Sequence, residues 1–268
     1  MSGEPTSRRE ALAGGGRRLG LAVAAGSMTA AFAAAARQAR AQDVEVPSTL
    51  VEVLNFVLTL ERLEAGFYEE GLGTAGLIPP ADEVVFATLR RQEADHVDLL
   101  EELLGEKAGP EPEFDFTAGG RLPALSDYET FKLLAQAFED TGVRALKGAA
   151  IAEAAKPFVE DRELLTRILR IHSVEARHAA QVRRLRGRPG WWPSDLDETT
   201  AVIEEVYATD RSLAEEERSW AVTEPVVKYG VDVARVAGVS PRQAREAFEE
   251  PLGMAYVREL VEPFIVDL

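Results

Sequence analysis

The 268-residue chain has no cysteine. That absence excludes disulfides, thiolate catalysis, iron–sulfur clusters and lipid attachment through cysteine. Any transition metal held here must be held by histidine and carboxylate. Histidine is scarce as well, with three copies, His96, His172 and His178. Aromatic residues make up 7% of the chain and runs of β-branched residues are few, which argues against an extensive sheet. Ala, Leu, Glu and Arg dominate instead, a composition that leans to helix. Basic charge is also in short supply, 30 Lys and Arg against 46 Asp and Glu, for a formal charge of −16. Such an acidic body excludes nucleic acid and anionic membrane surfaces as natural partners.

The one long apolar run lies near the start. Residues 1–41 carry six Arg and two Glu, a net of +4 that leaves −20 on the remainder. Leu19 to Ala36 is apolar, built mainly of Ala and Gly, and Ala39-Arg40-Ala41 precedes Gln42 in an A-x-A cleavage pattern. A charged start, an apolar middle and a small-residue exit describe a signal peptide over 1–41. A membrane anchor is the competing reading, weakened by the low hydrophobicity of Ala and Gly. Ser7-Arg8-Arg9-Glu10-Ala11-Leu12 resembles a twin-arginine export signal, departing from it at Ala11 and Ala13, and Arg17-Arg18 is a second candidate pair. Export of the unfolded chain is the alternative route. Both place the mature protein in the periplasm or outside the cell, with no membrane span once the signal is cleaved.

Beyond Pro47 the helix-period pattern appears four times. One helix is expected from Pro47-Ser48 to Glu70 and a second from Pro79-Pro80 to about Glu106. A third should start at a Ser126–Glu129 capping box and end near Lys156, and a fourth should run from Pro157 to about Arg186. The connections are short, long and short, the long one being a 19-residue loop over 107–125. The expected fold is therefore all-α: a four-helix bundle over 47–186, made of two helix hairpins joined by one long crossover. Helices of about 24–30 residues would span roughly 35–45 Å. Residues 187–268 read as a C-terminal helical extension, with helix over 200–220, less certain helix over 226–236, and a terminal pair broken at Pro251. These pack on the bundle or form a homo-oligomer contact. Trp191 and Trp192 are expected to pack at the bundle end.

Polar ligand-type residues interrupt the apolar stripes at their centres. In the fourth helix Leu164, Ile168, Ile171, Glu175, His178, Val182 and Leu185 recur at steps of four and three. Phe86, Leu89, Glu93, His96, Leu100 and Leu103 do so in the second. Glu-x-x-His places a carboxylate and an imidazole one turn apart on one face. The first helix puts Leu50, Leu54, Val57, Glu61, Glu64 and Tyr68 on its stripe, and the third puts Ala135, Glu139, Gly142, Leu146, Ala149 and Glu153 on its own. Glu61 lies 15 residues before the first hairpin's centre at Gly76 and Glu93 lies 17 after it; Glu139 lies 17 before Lys156 and Glu175 lies 19 after it. The members of each hairpin therefore meet at one level. A buried unpaired carboxylate costs on the order of several kcal/mol, and a pair of divalent cations would compensate these. Glu61, Glu93, His96, Glu139, Glu175 and His178 are thus the candidate metal ligands, with Glu64 an alternative to Glu61 or an extra ligand. Tyr68, two turns from Glu61, is a candidate redox or hydrogen-bonding neighbour, with core filling as the other reading. Glu153 is too far along its helix to share the site, and His172 lies off the stripe.

Leu54-Asn55-Phe56-Val57-Leu58-Thr59-Leu60-Glu61-Arg62-Leu63-Glu64-Ala65-Gly66-Phe67-Tyr68 resembles the first helix of bacterioferritins, rubrerythrins and other ferritin-like proteins. With Glu139 to Ala149 and Ala247-Phe248-Glu249-Glu250-Pro251-Leu252, the chain resembles above all the exported ferritin-like family that includes desiccation-related proteins. The resemblance implies a non-haem di-iron centre. Glu61 and Glu139 would be terminal carboxylates, Glu93 and Glu175 bridges, and His96 and His178 terminal imidazoles. Activities in such relatives include ferrous oxidation and peroxide reduction. The cysteine module of rubrerythrins is absent. Three functions are carried forward: a di-iron protein reacting with O2 or peroxide, a manganese catalase-like enzyme, and a stress-associated structural protein stapled by metal.

Overall fold

The computed structural model describes residues 50–151, 161–191, 227–228, 231–240, 243 and 251–267. The expected signal segment, the helix over 200–220, Glu153, Pro157 and Trp192 lie outside these residues. No helix among the described residues is long and apolar enough to cross a membrane.

Four long helices dominate: α1 (Leu50–Gly73), α2 (Pro80–Leu104), α3 (Tyr128–Ile151) and α4 (Arg162–Leu185). They hold 24, 25, 24 and 24 residues, about 36 Å each. The fold is all-α with a few very short strands. Helices α1 and α2 pair as one hairpin and α3 and α4 as the other, and the hairpins meet through α1 on α3 and α2 on α4. Local chemistry sets the ends. Pro79 caps α2 with extended backbone and Pro80 opens its first turn, where a missing N–H costs nothing. Gly105 ends it at φ 54°. Asp161 caps α4, its carboxylate accepting from the Glu163 and Leu164 N–H groups at 3.0 Å each.

The start of α3 departs from expectation. Asp127, not Ser126, is the cap: its Oδ2 accepts from the Thr130 N–H at 2.8 Å and the Thr130 hydroxyl at 2.7 Å. Asp at the cap is also the better electrostatic partner for a helix N-terminus, so the Ser126–Glu129 box does not form.

The crossover is more than a loop. It contains a 3-10 turn, Gly105–Lys107, and strand β1 (Glu113–Phe114). Asn55 and Arg62 of α1 tie it down. Asn55 accepts from the Gly109 N–H at 2.6 Å and donates to the Lys107 carbonyl at 2.9 Å. Arg62 donates to the Gly109 and Pro110 carbonyls at 3.0 Å each. Strand β1 pairs antiparallel with the last strand, β4 (Ile265–Asp267), Phe114 opposite Ile265. Between them in sequence come a small hairpin of β2 (Val227–Lys228) and β3 (Val231–Asp232), then α5 (Val233–Ala237), α6 (Met254–Val261) and a 3-10 turn, Glu262–Phe264. The residues expected as weak helix near 226–236 are thus a strand pair leading into one helical turn. Trp191 is 59% exposed and does not pack at the bundle end.

The C-terminal segment explains an unusual property of α3, whose residues 130–146 are all buried. One face meets the bundle, and the opposite face is covered by α6 and the residues around it. Phe264 packs edge-on against Phe138 with ring centroids 5.0 Å apart, and the Leu252 N–H donates to the Arg144 carbonyl at 3.1 Å. Beside them the Arg183 guanidinium of α4 pairs with Asp140. At the other end of the bundle Phe67 stacks on Phe131 at 4.5 Å, with Phe86 5.1 Å from Phe131.

Gly148 marks how closely the C-terminal segment approaches, since a methyl group there would overlap the Leu252 carbonyl. Gly148→Ala gains helix propensity, yet it is expected to destabilise the protein by roughly 1–3 kcal/mol through overpacking. Urea unfolding measures this. A rise in stability would mean that the segment does not dock on α3.

Candidate metal centre

Midway along the bundle each helix turns carboxylates inward. Glu93, Glu139 and Glu175 are 0% exposed, Glu61 and Glu64 2%, His178 3% and His96 7%. Regular helix does the placing. Glu93 and His96 share a face of α2, and Glu175 and His178 share a face of α4, each pair one turn apart.

The donors fall into two groups of four. Ligand atoms of Glu61, Glu93, His96 and Glu175 lie within 4.8 Å of one another, and so do those of Glu93, Glu139, Glu175 and His178. Glu93 and Glu175 belong to both. The structure therefore brings together all six residues that the sequence pattern singled out. Glu64 and half-buried His172 belong to neither group.

The distances point to a shared cation. His96 Nδ1 has Glu61 Oε2 at 3.0 Å, Glu93 Oε2 at 3.0 Å and Glu175 Oε1 at 2.9 Å. One ring nitrogen carries at most one proton, so three carboxyl oxygens converge on a donor that can satisfy one of them. His178 Nδ1 lies 2.5 Å from Glu93 Oε1, 3.6 Å from Glu139 Oε2 and 3.8 Å from Glu175 Oε1. Close as they are, His178 Nδ1, Glu93 Oε1, Glu139 Oε2 and both Glu175 oxygens lack a hydrogen bond of acceptable direction among the described residues. Orphaned buried polar atoms of this kind call for an unseen partner. Carboxylate and imidazole together suit iron, manganese or another first-row ion. These residues fit a metal.

Two neighbours hold the site from outside. Gln92 Oε1 lies 2.7 Å from His178 Nε2. With Gln92 accepting, Nε2 carries a proton and Nδ1 is the nitrogen that faces the carboxylates. Sequence spacing gave no sign of Gln92, because it lies beside the apolar stripe and looks like an ordinary half-exposed polar residue. Tyr68, fully buried, donates from its hydroxyl to Glu139 Oε1 at 2.5 Å. Burial, then the Glu139 charge, push the Tyr68 phenol well above its ordinary range, so it keeps its proton. A 390 Å³ cleft lined by Leu50, Leu54, Leu103, Leu164 and Arg167 lies at one end of the bundle and includes none of these donors.

Without a metal the cluster is electrostatically frustrated. Burial, followed by the neighbouring acids, holds Glu61, Glu64 and Glu139 well above the ordinary carboxylate value of 4.5, and burial raises Glu175 too. Burial acts the same way on Glu93, but the close imidazoles of His178 and His96 outweigh it and lower that group to about 2. Burial opposes the charge on His96, yet contacts with Glu175, Glu61 and Glu93 outweigh it and raise that group.

Groups raised in the fold bind protons more tightly there than in the unfolded chain, so their contribution is complete below the unfolded values and lost as pH rises. Glu93 acts oppositely, but its window lies between about 2 and 4.5. Metal-free protein should therefore melt at falling temperature between about pH 5 and about pH 8. Added divalent metal, which displaces the protons, should reverse the trend. Thermal melts across that range check both halves, and metal-free stability that rises with pH would contradict them.

A family model described as a ferritin-like domain matches residues 49–188, the stretch that holds α1 to α4. A search of the curated proteins found no match.

Proposed function

The chain belongs to the ferritin-like domain family, and on that premise we propose that it is an exported protein holding a pair of iron ions and reacting with O2 or peroxide. The observation that carries this reading is the sharing of Glu93 and Glu175 by two buried four-donor groups. Glu93 and Glu175 would bridge the pair. Glu61 and His96 would complete one position, and Glu139 and His178 the other. When bound, two ferrous ions supply two electrons, enough to reduce O2 to hydrogen peroxide or peroxide to water. The protein's own residues do the rest. Gln92 orients His178, Tyr68 holds a proton at its hydroxyl against Glu139, and the apolar turns above and below the centre keep bulk water away. The export reading is supported by the basic, apolar and small-residue sequence of 1–41 and implies a periplasmic or secreted protein. The resemblance to desiccation-related relatives supports a stress role.

Metal analysis of the full chain after reconstitution with ferrous iron, and separately with manganese, tests the centre. The expected result is about two metals per chain, lost in Glu93→Ala and His178→Ala variants that keep their helical circular dichroism. Binding of neither metal would end the proposal. Anaerobic ferrous protein mixed with O2 or peroxide should then oxidise in a single turnover, and Tyr68→Phe should bind metal normally but alter that rate. Bound iron that stays ferrous would instead mark the metal as a structural staple. Rapid peroxide disproportionation by the manganese form would move the protein to the catalase reading.

A further inference from the structure

The six donors leave one buried carboxylate unexplained. Glu64 lies one turn beyond Glu61 on α1 and is 2% exposed, and its Oε2 has no hydrogen-bond partner among the described residues. An ordinary core acid would be neutralised by a cation or satisfied by donors. The groups that act most strongly on Glu64, after burial itself, are Glu175, Glu93 and Glu61. It therefore stands in the field of the centre rather than in an ion pair of its own.

Opposite it, α3 carries a glycine. Gly142 lies mid-helix, where glycine costs about 1 kcal/mol relative to alanine. Its φ is not positive, so backbone conformation gives no reason for it. Space does. A Cβ at position 142 would stand 2.9 Å from Glu64 Oε1 and 3.6 Å from Glu175 Oε2. The missing side chain is the gap in which the Glu64 carboxylate lies beside that of Glu175. A buried acid with an unsatisfied oxygen and a helix opened beside it and beside Glu175 are two separate observations, and they meet at one point.

We propose that Glu64, seated in the gap that Gly142 leaves in α3, is a fifth carboxylate ligand of the metal centre, reaching it from the Glu175 side. The inference rests on the di-metal reading above. Four carboxylates cancel the charge of two divalent ions. A fifth suits the site to the greater charge of an oxidised, trivalent metal, for which a low-dielectric interior without it would be short of negative charge.

Cobalt(II) tests this without turnover as the readout. Full-length protein is titrated calorimetrically and its visible absorption recorded, the latter being sensitive to ligand number. Glu64→Gln keeps the shape of the side chain and removes the charge. It should weaken one cobalt step by roughly tenfold or more and change the absorption. Gly142→Ala, which pushes the carboxylate from its seat, should do the same. The double variant should be no weaker than Glu64→Gln alone, because both changes act through one contact. Metal-free melts of each variant separate misfolding from ligand loss. If Glu64→Gln matches the wild type in both readouts while His178→Ala loses cobalt, the centre stands and this proposal falls. Additive losses in the double variant would also overturn it, assigning Gly142 to helix packing. If the wild type binds no cobalt, the di-metal reading falls and this one with it.

Discussion

Five carboxylates, Glu61, Glu64, Glu93, Glu139 and Glu175, are buried in one helical core with two imidazoles and no Lys or Arg side chain paired to them among the described residues. Everything else about the bundle must be compatible with that concentration of negative charge. A solvent-filled interior would screen it, but Leu54, Val57, Phe86, Leu100, Ile168, Ile171 and Val182 are all buried along the same helix faces. Protons can neutralise the acids one by one, which is what their raised affinities express. They leave the lone pairs of Glu175 and His178 unused, however, because a proton satisfies one acceptor and a cation several at once. The donor set therefore makes sense as a cation site whose apo state is held together by protonation.

Keeping such a core closed demands stiffness from its frame, and the frame is reinforced where the crossover could have loosened it. Arg62 is the residue after Glu61. Its guanidinium reaches the Gly109 and Pro110 carbonyls and Glu101, so the turn of α1 that presents Glu61 is anchored to both the crossover and α2. Helix α3, which carries Glu139, is enclosed by the bundle on one side and by α6 and Phe264 on the other. The Arg183–Asp140 pair joins α3 to α4 one residue beyond Glu139.

What could be read from the sequence was what depends on helical periodicity. Glu93 and His96, or Glu175 and His178, share a face because 3.6 residues make a turn, and hairpin arithmetic then sets them level. The central four helices and the convergence of six donors needed no more than that. Features that depend on contacts distant in sequence were not legible. The outer burial of α3 near Phe138 and Arg144 is imposed by a segment more than a hundred residues later, and Lys132, Gln136 and Asp140, spaced by four, look like a solvated face although they meet the Leu185 carbonyl, Arg186 and Arg183 at the end of α4. Strand β1 is two residues long and exists only because β4 comes to it. The choice of Asp127 over Ser126 as cap turned on one residue of register, below the resolution of pattern reading.

The site's two halves are chemically unequal, though the six-residue pattern reads as symmetric. Around His178 the second ring nitrogen is held by Gln92 and the adjoining Glu139 accepts the Tyr68 hydroxyl. Both are neutral partners that fix orientation without adding charge. Around His96, Glu61, Glu93 and Glu175 crowd one nitrogen at 2.9–3.0 Å, whereas of the three carboxylates facing His178 only Glu93 comes closer than 3.6 Å. His96 is also the more exposed of the two imidazoles, 7% against 3%. Neutral hydrogen bonds favour a fixed geometry, whereas clustered anions favour affinity that changes with the charge of what they hold. The His178 half is accordingly built as the stationary one.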